Sequence, residues 1–208
     1  FVPKDTKGEK LYETFISLKD IFNKYNAGIA TGKDSVLVDF NKDNLIRKLS
    51  VADKNLFKTM MESYKVSEDL TEKWYQELKK EDIKKQVKTY NYRPFDNRFT
   101  IYNAKILQRA RKDIMDNFLD DNLAITTPKN SKQENFNEVL IANSLVDKHL
   151  IGHQTFVFPL FIYQNNKENN LFEKTGLQQA NFSHKLYDNV PTGIEPERVF
   201  NYIYAILY

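Results

Sequence analysis

One stretch, "VKTYNYRPFDNRFTIYN" (Val87 to Asn103), constrains the fold of this chain more than any other. Aromatic and β-branched residues are interleaved with polar ones on both sides of Pro94-Phe-Asp-Asn97, and such residues suit a pleated, half-buried surface. Pro presets φ for a turn, and Asp and Asn hydrogen bond to their own backbone. The pattern predicts two strands, "VKTYNYRP" and "NRFTIYN", joined by that turn. It also raises a functional question. Arg is the residue type best suited to gripping phosphate and reading guanine, so Arg93 and Arg98 either meet nucleic acid or hold the fold.

Upstream of the hairpin the pattern is helical. "EKLYETFISLKDIFNKYNAG" spaces Leu11, Phe15, Leu18, Ile21, Phe22 and Tyr25 as one helical face, with Gly28 where a C-cap would end it. "SVLVDF", Ser35 to Phe40, reads as a short strand. Asn41 is placed to cap a helix over "NKDNLIRKLS". The charged, periodic run from Lys54 to Lys88 predicts two or three helices. Downstream, "ILQRARKDIMDNFLDDN" reads as a helix, and "LAITTP", "FNEVLIAN" and "TFVFPLFIY" read as three short strands. "NNKENNLFEKTGLQQANFS" reads as a polar surface loop or insertion, and "GIEPERVFNYIYAILY" as a closing helix with Pro196 in its first turn. The expected fold class is α+β. A helical connector over residues 1–88, with one short strand near 35–40, precedes a mixed α/β domain over residues 89–208 with short, mostly antiparallel strands.

Composition bounds the function classes. Hydrophobic residues make up 41% and charged residues 28%, enough apolar content for a core. The absence of Cys excludes a disulfide scaffold and thiolate chemistry, and fits a cytoplasmic setting. No apolar run reaches about 18 residues, so no membrane helix is expected. A net charge of +3 does not by itself point to a polyanion. The chain opens at Phe1 and stops inside "VFNYIYAILY", and is read as a piece of a longer polypeptide.

No motif assembles a catalytic site. "GIATGKDS" has three residues between Gly28 and Gly32 and Asp34 after Lys33, whereas a phosphate loop needs four and a Ser or Thr. His149 and His153, with Asp147 nearby, have metal-ligand spacing only if helical, and Gly152 argues against a helix. Glu77-Leu-Lys79 has the E-x-K step of metal-dependent nucleases but lies in a helical run. The basic patch is more informative. From Lys84 to Gln133 there are eleven Lys or Arg and five Asp or Glu. On a helix Lys105, Arg109 and Lys112 would share one face, flanked by Gln108 and Arg111. "TTPKNSKQ" is rich in side chains able to touch phosphates and base edges. The competing reading is a solvated charged face.

"YRPFDNRFTIY" resembles a signature of the target-recognition part of single-polypeptide restriction-modification enzymes, the Type ISP family, shared with related adenine-specific DNA methyltransferases. Tyr92, Arg93, Pro94, Phe95, Asp96, Arg98 and Tyr102 match it. "QRARKDIM" resembles the family's basic segment ending in Met, with Ala110 where the family often has Pro. "FVFPLFIY" (Phe156 to Tyr163) resembles a later strand, "GIATGKDSVLV" the segment before a helical connector, and "RVFNYIYAILY" a closing helix. The resemblance implies an upstream N6-adenine methyltransferase domain, using S-adenosylmethionine, in the parent polypeptide. This chain lacks the Asn-Pro-Pro-Tyr/Phe tetrapeptide of that domain. It therefore resembles the connector and recognition region, with no catalytic residue, metal or cofactor of its own expected.

The expected partners are double-stranded DNA and the upstream methyltransferase domain, with no membrane. A methyltransferase must take its base out of the stack while cationic contacts to phosphate hold the duplex. Lys129, Asn130, Lys132 and Gln133 are expected at or near bases. Lys105, Gln108, Arg109, Arg111 and Lys112 are expected at phosphates and bases, and Arg98 at a phosphate or a neighbouring carboxylate. A motif shared by enzymes with different targets is poorly suited to choosing bases. Arg93 and Asp96 are therefore expected to pin the turn by an ion pair or backbone hydrogen bonds, with Tyr92 and Phe95 in the core. The alternative is a protein-docking module without DNA contact.

Overall fold

The structure, a computed structural model, describes residues 15–130, 138–164, 177–188, 190–191 and 193–208. A single helical turn, α1 (Leu18–Ile21), opens the described chain, capped by the Ser17 hydroxyl accepting from the Lys19 N–H. The periodicity that predicted a longer helix is broken at Phe22, which turns extended and bridges to Phe182. Its ring meets Phe158, Phe182 and Phe200 at 5.4, 5.3 and 6.5 Å. Tertiary packing of one aromatic outweighs the modest gain from propagating a short helix. Residues 9–14 of the predicted helix lie outside the described residues.

Strand β1 (Asn26–Ala27) follows, and Gly28 is not a helix cap. The Gly28 N–H donates to the Thr155 carbonyl at 3.1 Å, and a Cβ on Gly28 would lie 2.6 Å from the Asp147 carbonyl carbon. Only glycine permits that approach. The predicted strand at 35–40 becomes a helical turn, α2 (Asp34–Leu37), then β2 (Val38–Asp39). Asn41 caps α3 (Lys42–Leu49) as expected, its Oδ1 accepting from the Asn44 N–H at 3.0 Å. Helices α4 (Lys54–Ser63), α5 (Glu68–Leu78) and α6 (Ile83–Gln86) fill the predicted helical run. Their apolar stripes bury Phe57, Met61, Trp74, Tyr75 and Leu78.

The hairpin forms as its pattern predicts. Strands β3 (Val87–Arg93) and β4 (Asp96–Ile101) pair antiparallel, with an irregularity between Asn91 and Arg93. The helix expected over 106–122 does not form. Only α7 (Lys112–Met115) and a 3₁₀ turn (Asp116–Phe118) are helical. The cause is backbone competition: Arg109 exchanges both hydrogen bonds with Ala30, at 3.1 and 2.9 Å, and the Gln108 N–H donates to Thr31 at 3.2 Å. Arg111 then takes a left-handed φ of 54°.

The rest is β5 (Ala124–Pro128), β6 (Leu140–Ala142), β7 (Leu145–Val146), β8 (Thr155–Pro159), β9 (Phe161–Gln164), β10 (Leu177–Ala180), α8 (His184–Tyr187) and α9 (Pro196–Leu207). "TFVFPLFIY" therefore splits at the buried Leu160, whose N–H donates to Leu123 at 2.8 Å. The stretch read as a polar loop contributes β10, paired with β9, while residues 165–176 lie outside the described residues. Pro196 opens α9.

Two four-stranded sheets, ordered β1-β8-β5-β6 and β2-β4-β3-β7, and the β10-β9 pair make an α+β fold. All named pairings are antiparallel except β3 with β7. The change of character near residue 88 is a change of element type. Strands from before it, β1 and β2, pair with β8 and β4 from after it. One apolar cluster joins the connector helices to the hairpin, and a second gathers Phe22, Phe158, Phe182, Phe200 and Ile203.

Candidate nucleic-acid interface

The hairpin turn is two residues, Pro94 and Phe95, and its arginines are tied inward. The Arg93 guanidinium donates to Asp147 Oδ1 at 3.0 Å and to the Tyr92 carbonyl at 2.5 Å, and lies 3.8 Å from the Tyr92 ring centroid. Asp147 is 2% exposed. Its carboxylate also accepts from the Tyr90 hydroxyl and from the His149 N–H at 2.5 Å. Burial pushes the Asp147 carboxyl above the usual carboxylate range, opposed by Tyr90, the His149 N–H and Arg93. Burial, reinforced by Asp147, pushes Tyr90 well above an ordinary phenol. One shell out, the Tyr92 hydroxyl donates to Asp34 Oδ2 at 2.9 Å, and the Thr31 hydroxyl donates to Asp34 Oδ1.

Arg98 forks onto Asp96, with Nε and Nη2 at 3.0 and 2.8 Å from its oxygens, and lies against Phe40 and Tyr92. Two expectations are thereby corrected. Arg93 does bond the backbone, at the Tyr92 carbonyl, but its ion pair is not with Asp96, because the parallel strand β7 brings Asp147 under the hairpin and leaves Asp96 to Arg98. Phe95 is not in the core. It is 97% exposed at a left-handed φ of 61°, because it is the second residue of a tight two-residue turn. Tyr92 packs partly buried against the core, as expected.

The expected contact residues are spread along the surface. Lys105, Gln108, Arg109 and Lys112 are exposed, but no shared helix aligns them. Arg111 is half-buried, with its Nε buried and without a hydrogen-bond partner among the described residues. Lys105 and Lys112 each have a loose carboxylate neighbour at 3.7 Å, Glu77 and Asp116. Arg109 and Lys129 have no ion pair among the described residues. Lys129 and Asn130 are exposed just past β5, where the Lys129 N–H donates to the Gln154 carbonyl at 2.7 Å. Lys132 and Gln133 lie outside the described residues.

The remaining motifs resolve structurally. Glu77 holds Lys80 at 2.9 Å on α5, and Lys79 covers the Tyr75 ring. Among the described residues no group of three His, Cys, Asp or Glu could hold a metal. A cavity of about 310 Å³ is lined by Thr31, Gly32, Asp34, Gln108, Asp147 and His149, among others. Its carboxylates are engaged by Thr31, Tyr92, Tyr90 and Arg93. Sequence reasoning missed Asp147 as the partner of Arg93. The two are 54 positions apart, and no local pattern joins them.

The profile of the Type ISP C-terminal specificity domain matches residues 20–208. The chain belongs to this family. No curated protein matches it. Among solved structures, the chain is similar to the ATP-dependent Type ISP restriction-modification enzyme LlaBIII bound to DNA. The identity is 21% and the TM-score 0.67, over 90% of this chain and 13% of that one. It is similar to DrdV in a DNA complex, at 21% and 0.63 over 90% of this chain and 19% of that one. It is also similar to a nuclease-deletion mutant of the Type ISP enzyme LlaGI with a DNA substrate mimic, at 19% and 0.54 over 81% of this chain and 14% of that one. The Type ISP specificity domain thus spans less than a fifth of each of those chains. Among the described residues, no helix is long and apolar enough to cross a membrane.

Proposed function

We propose that this Type ISP specificity domain recognises a DNA target sequence within a restriction-modification enzyme that methylates adenine N6. In that reading it holds duplex DNA in register for a methyltransferase domain elsewhere in the same cytoplasmic polypeptide, and S-adenosylmethionine serves that other domain. The observation that carries this is the family match over residues 20–208. LlaBIII, DrdV and LlaGI, whose folds it shares, are each in complexes with DNA or a DNA mimic. The geometry agrees. Lys105, Arg109, Lys112 and Lys129 are exposed, so phosphate can reach them without breaking a buried pair. Phosphate contacts supply affinity and register, and side chains at base edges supply choice.

A docking role is favoured by a separate observation: Tyr202 and Ile206 on α9 are 68% and 66% exposed. Fluorescence anisotropy of labelled duplex DNA across salt concentrations separates the two readings. Recognition predicts affinity falling log-linearly with salt, and a slope shallower by about one for Arg109→Ala or Lys129→Ala. A folded protein that does not bind DNA at low salt would leave only docking.

A further inference from the structure

We propose that a groove between α5, the Thr31–Lys33 turn and the Lys105–Gln108 turn seats a phosphate group of the DNA backbone. This rests on the recognition reading and extends the interface onto the connector helices. The groove has a volume of about 280 Å³, and its walls include Gly32, Lys33, Lys73, Trp74, Lys105 and Gln108. Three lysines therefore border one depression. The Lys33 ammonium donates to the Lys65 carbonyl at 2.9 Å and has two further N–H groups. Among the described residues Lys105 has only Glu77, at 3.7 Å. Lys73 is exposed, with no ion pair among the described residues.

A second observation points the same way. Trp74 is 1% exposed, and its indole Nε1 is buried with no hydrogen-bond partner among the described residues. An indole N–H can only donate, and a buried donor left unpaired is unfavourable. Trp74 is part of the groove wall, so an anion seated there lies beside a residue whose donor is unmet. Gly32, at φ +83°, keeps the wall low, since a Cβ there would sit 3.1 Å from the Gln108 Cβ. The carboxylates of Asp34 and Asp147 line the neighbouring cavity across Gly32 and Gln108. They repel an anion from that side and leave the lysine-lined groove as its seat. "GIATGKDS" thus contributes Gly32 and Lys33 to an anion site without having the spacing of a nucleotide loop.

Trp74 is the only tryptophan of the chain, so it reports on the groove directly. The test follows Trp74 emission while the 208-residue chain is titrated with duplex DNA, alongside the anisotropy of labelled DNA across salt. The expected result is a saturable emission change with the same midpoint as the anisotropy. Lys73→Gln and Lys33→Gln should each make the salt slope shallower by about one and shrink the emission change. Lys79→Gln, at the C-cap of the same helix over Tyr75, should leave both unchanged. An unchanged slope and emission response in a folded Lys73→Gln protein overturns the groove while leaving DNA recognition standing. Wild-type protein without salt-dependent DNA binding overturns both. An emission change with inorganic phosphate or ATP but not with DNA assigns the groove to a free phosphate compound and overturns the backbone seat.

Discussion

Asp147 takes a proton more readily in the folded protein than in the unfolded one, because burial raises it above its ordinary value of 3.8. Its contribution to stability is fully present below that ordinary value and is lost as pH rises through the raised one. Arg93 opposes the shift by favouring the carboxylate. Arg93→Ala leaves a buried carboxylate without its cation and is expected to cost about 2 kcal/mol at neutral pH. The loss should shrink as pH falls toward the ordinary carboxylate value, since a protonated Asp147 needs no cation. Urea denaturation at neutral pH and near that value measures this, and an equal loss at both would show that Asp147 is not the reason. The same substitution should leave target preference unchanged in a random-sequence selection, because Arg93 is spent on the fold. Phe95 is the opposite kind of residue, a bare aromatic in a left-handed backbone. Phe95→Gly is expected to raise the denaturation midpoint by about 1 kcal/mol in stability, and a fall would show that the ring is covered.

At the scale of elements, Gly28 is where β1 crosses the chain at Asp147. Gly28→Ala forces a Cβ against backbone that has no flexible end to give way. A loss of about 1–3 kcal/mol is expected, and thermal melting of the variant checks it. Elements with local causes were legible in the sequence. The Asn41 cap, the hairpin about Pro94 and Phe95, and α9 opened by Pro196 each carry their signal within a few residues. Elements decided by distant partners were not. Residues 106–111 have helical periodicity, yet their backbone is claimed by Ala30 and Thr31. Phe22 leaves its helix for Phe182. The site divides the same way. That Lys105, Arg109 and Lys112 would be exposed was readable from charge, whereas the gathering of Lys33 and Lys73 beside Lys105 depends on chain crossings that no local pattern encodes.

Across the whole molecule, the second apolar cluster draws on both ends of the described chain. Phe22 packs on Phe200, and Val199 and Ile203 of α9 are buried in the same cluster. Deleting residues 195–208 strips that cluster of three buried side chains and is expected to leave the protein unfolded. Circular dichroism and limited proteolysis of the truncated chain read this directly, and a cooperative melt near that of the intact chain would refute it. The pairing of β1 with β8 has a further consequence during synthesis. Domains tend to fold as units while they leave the ribosome, and contacts distant in sequence form slowly. Here β1 waits for its partner until Phe156 and Val157 have been translated, and Phe22 waits for Phe158, Phe182 and last Phe200. The nascent chain therefore carries an uncovered aromatic segment for most of its elongation, and this is the interval in which a chaperone would find it.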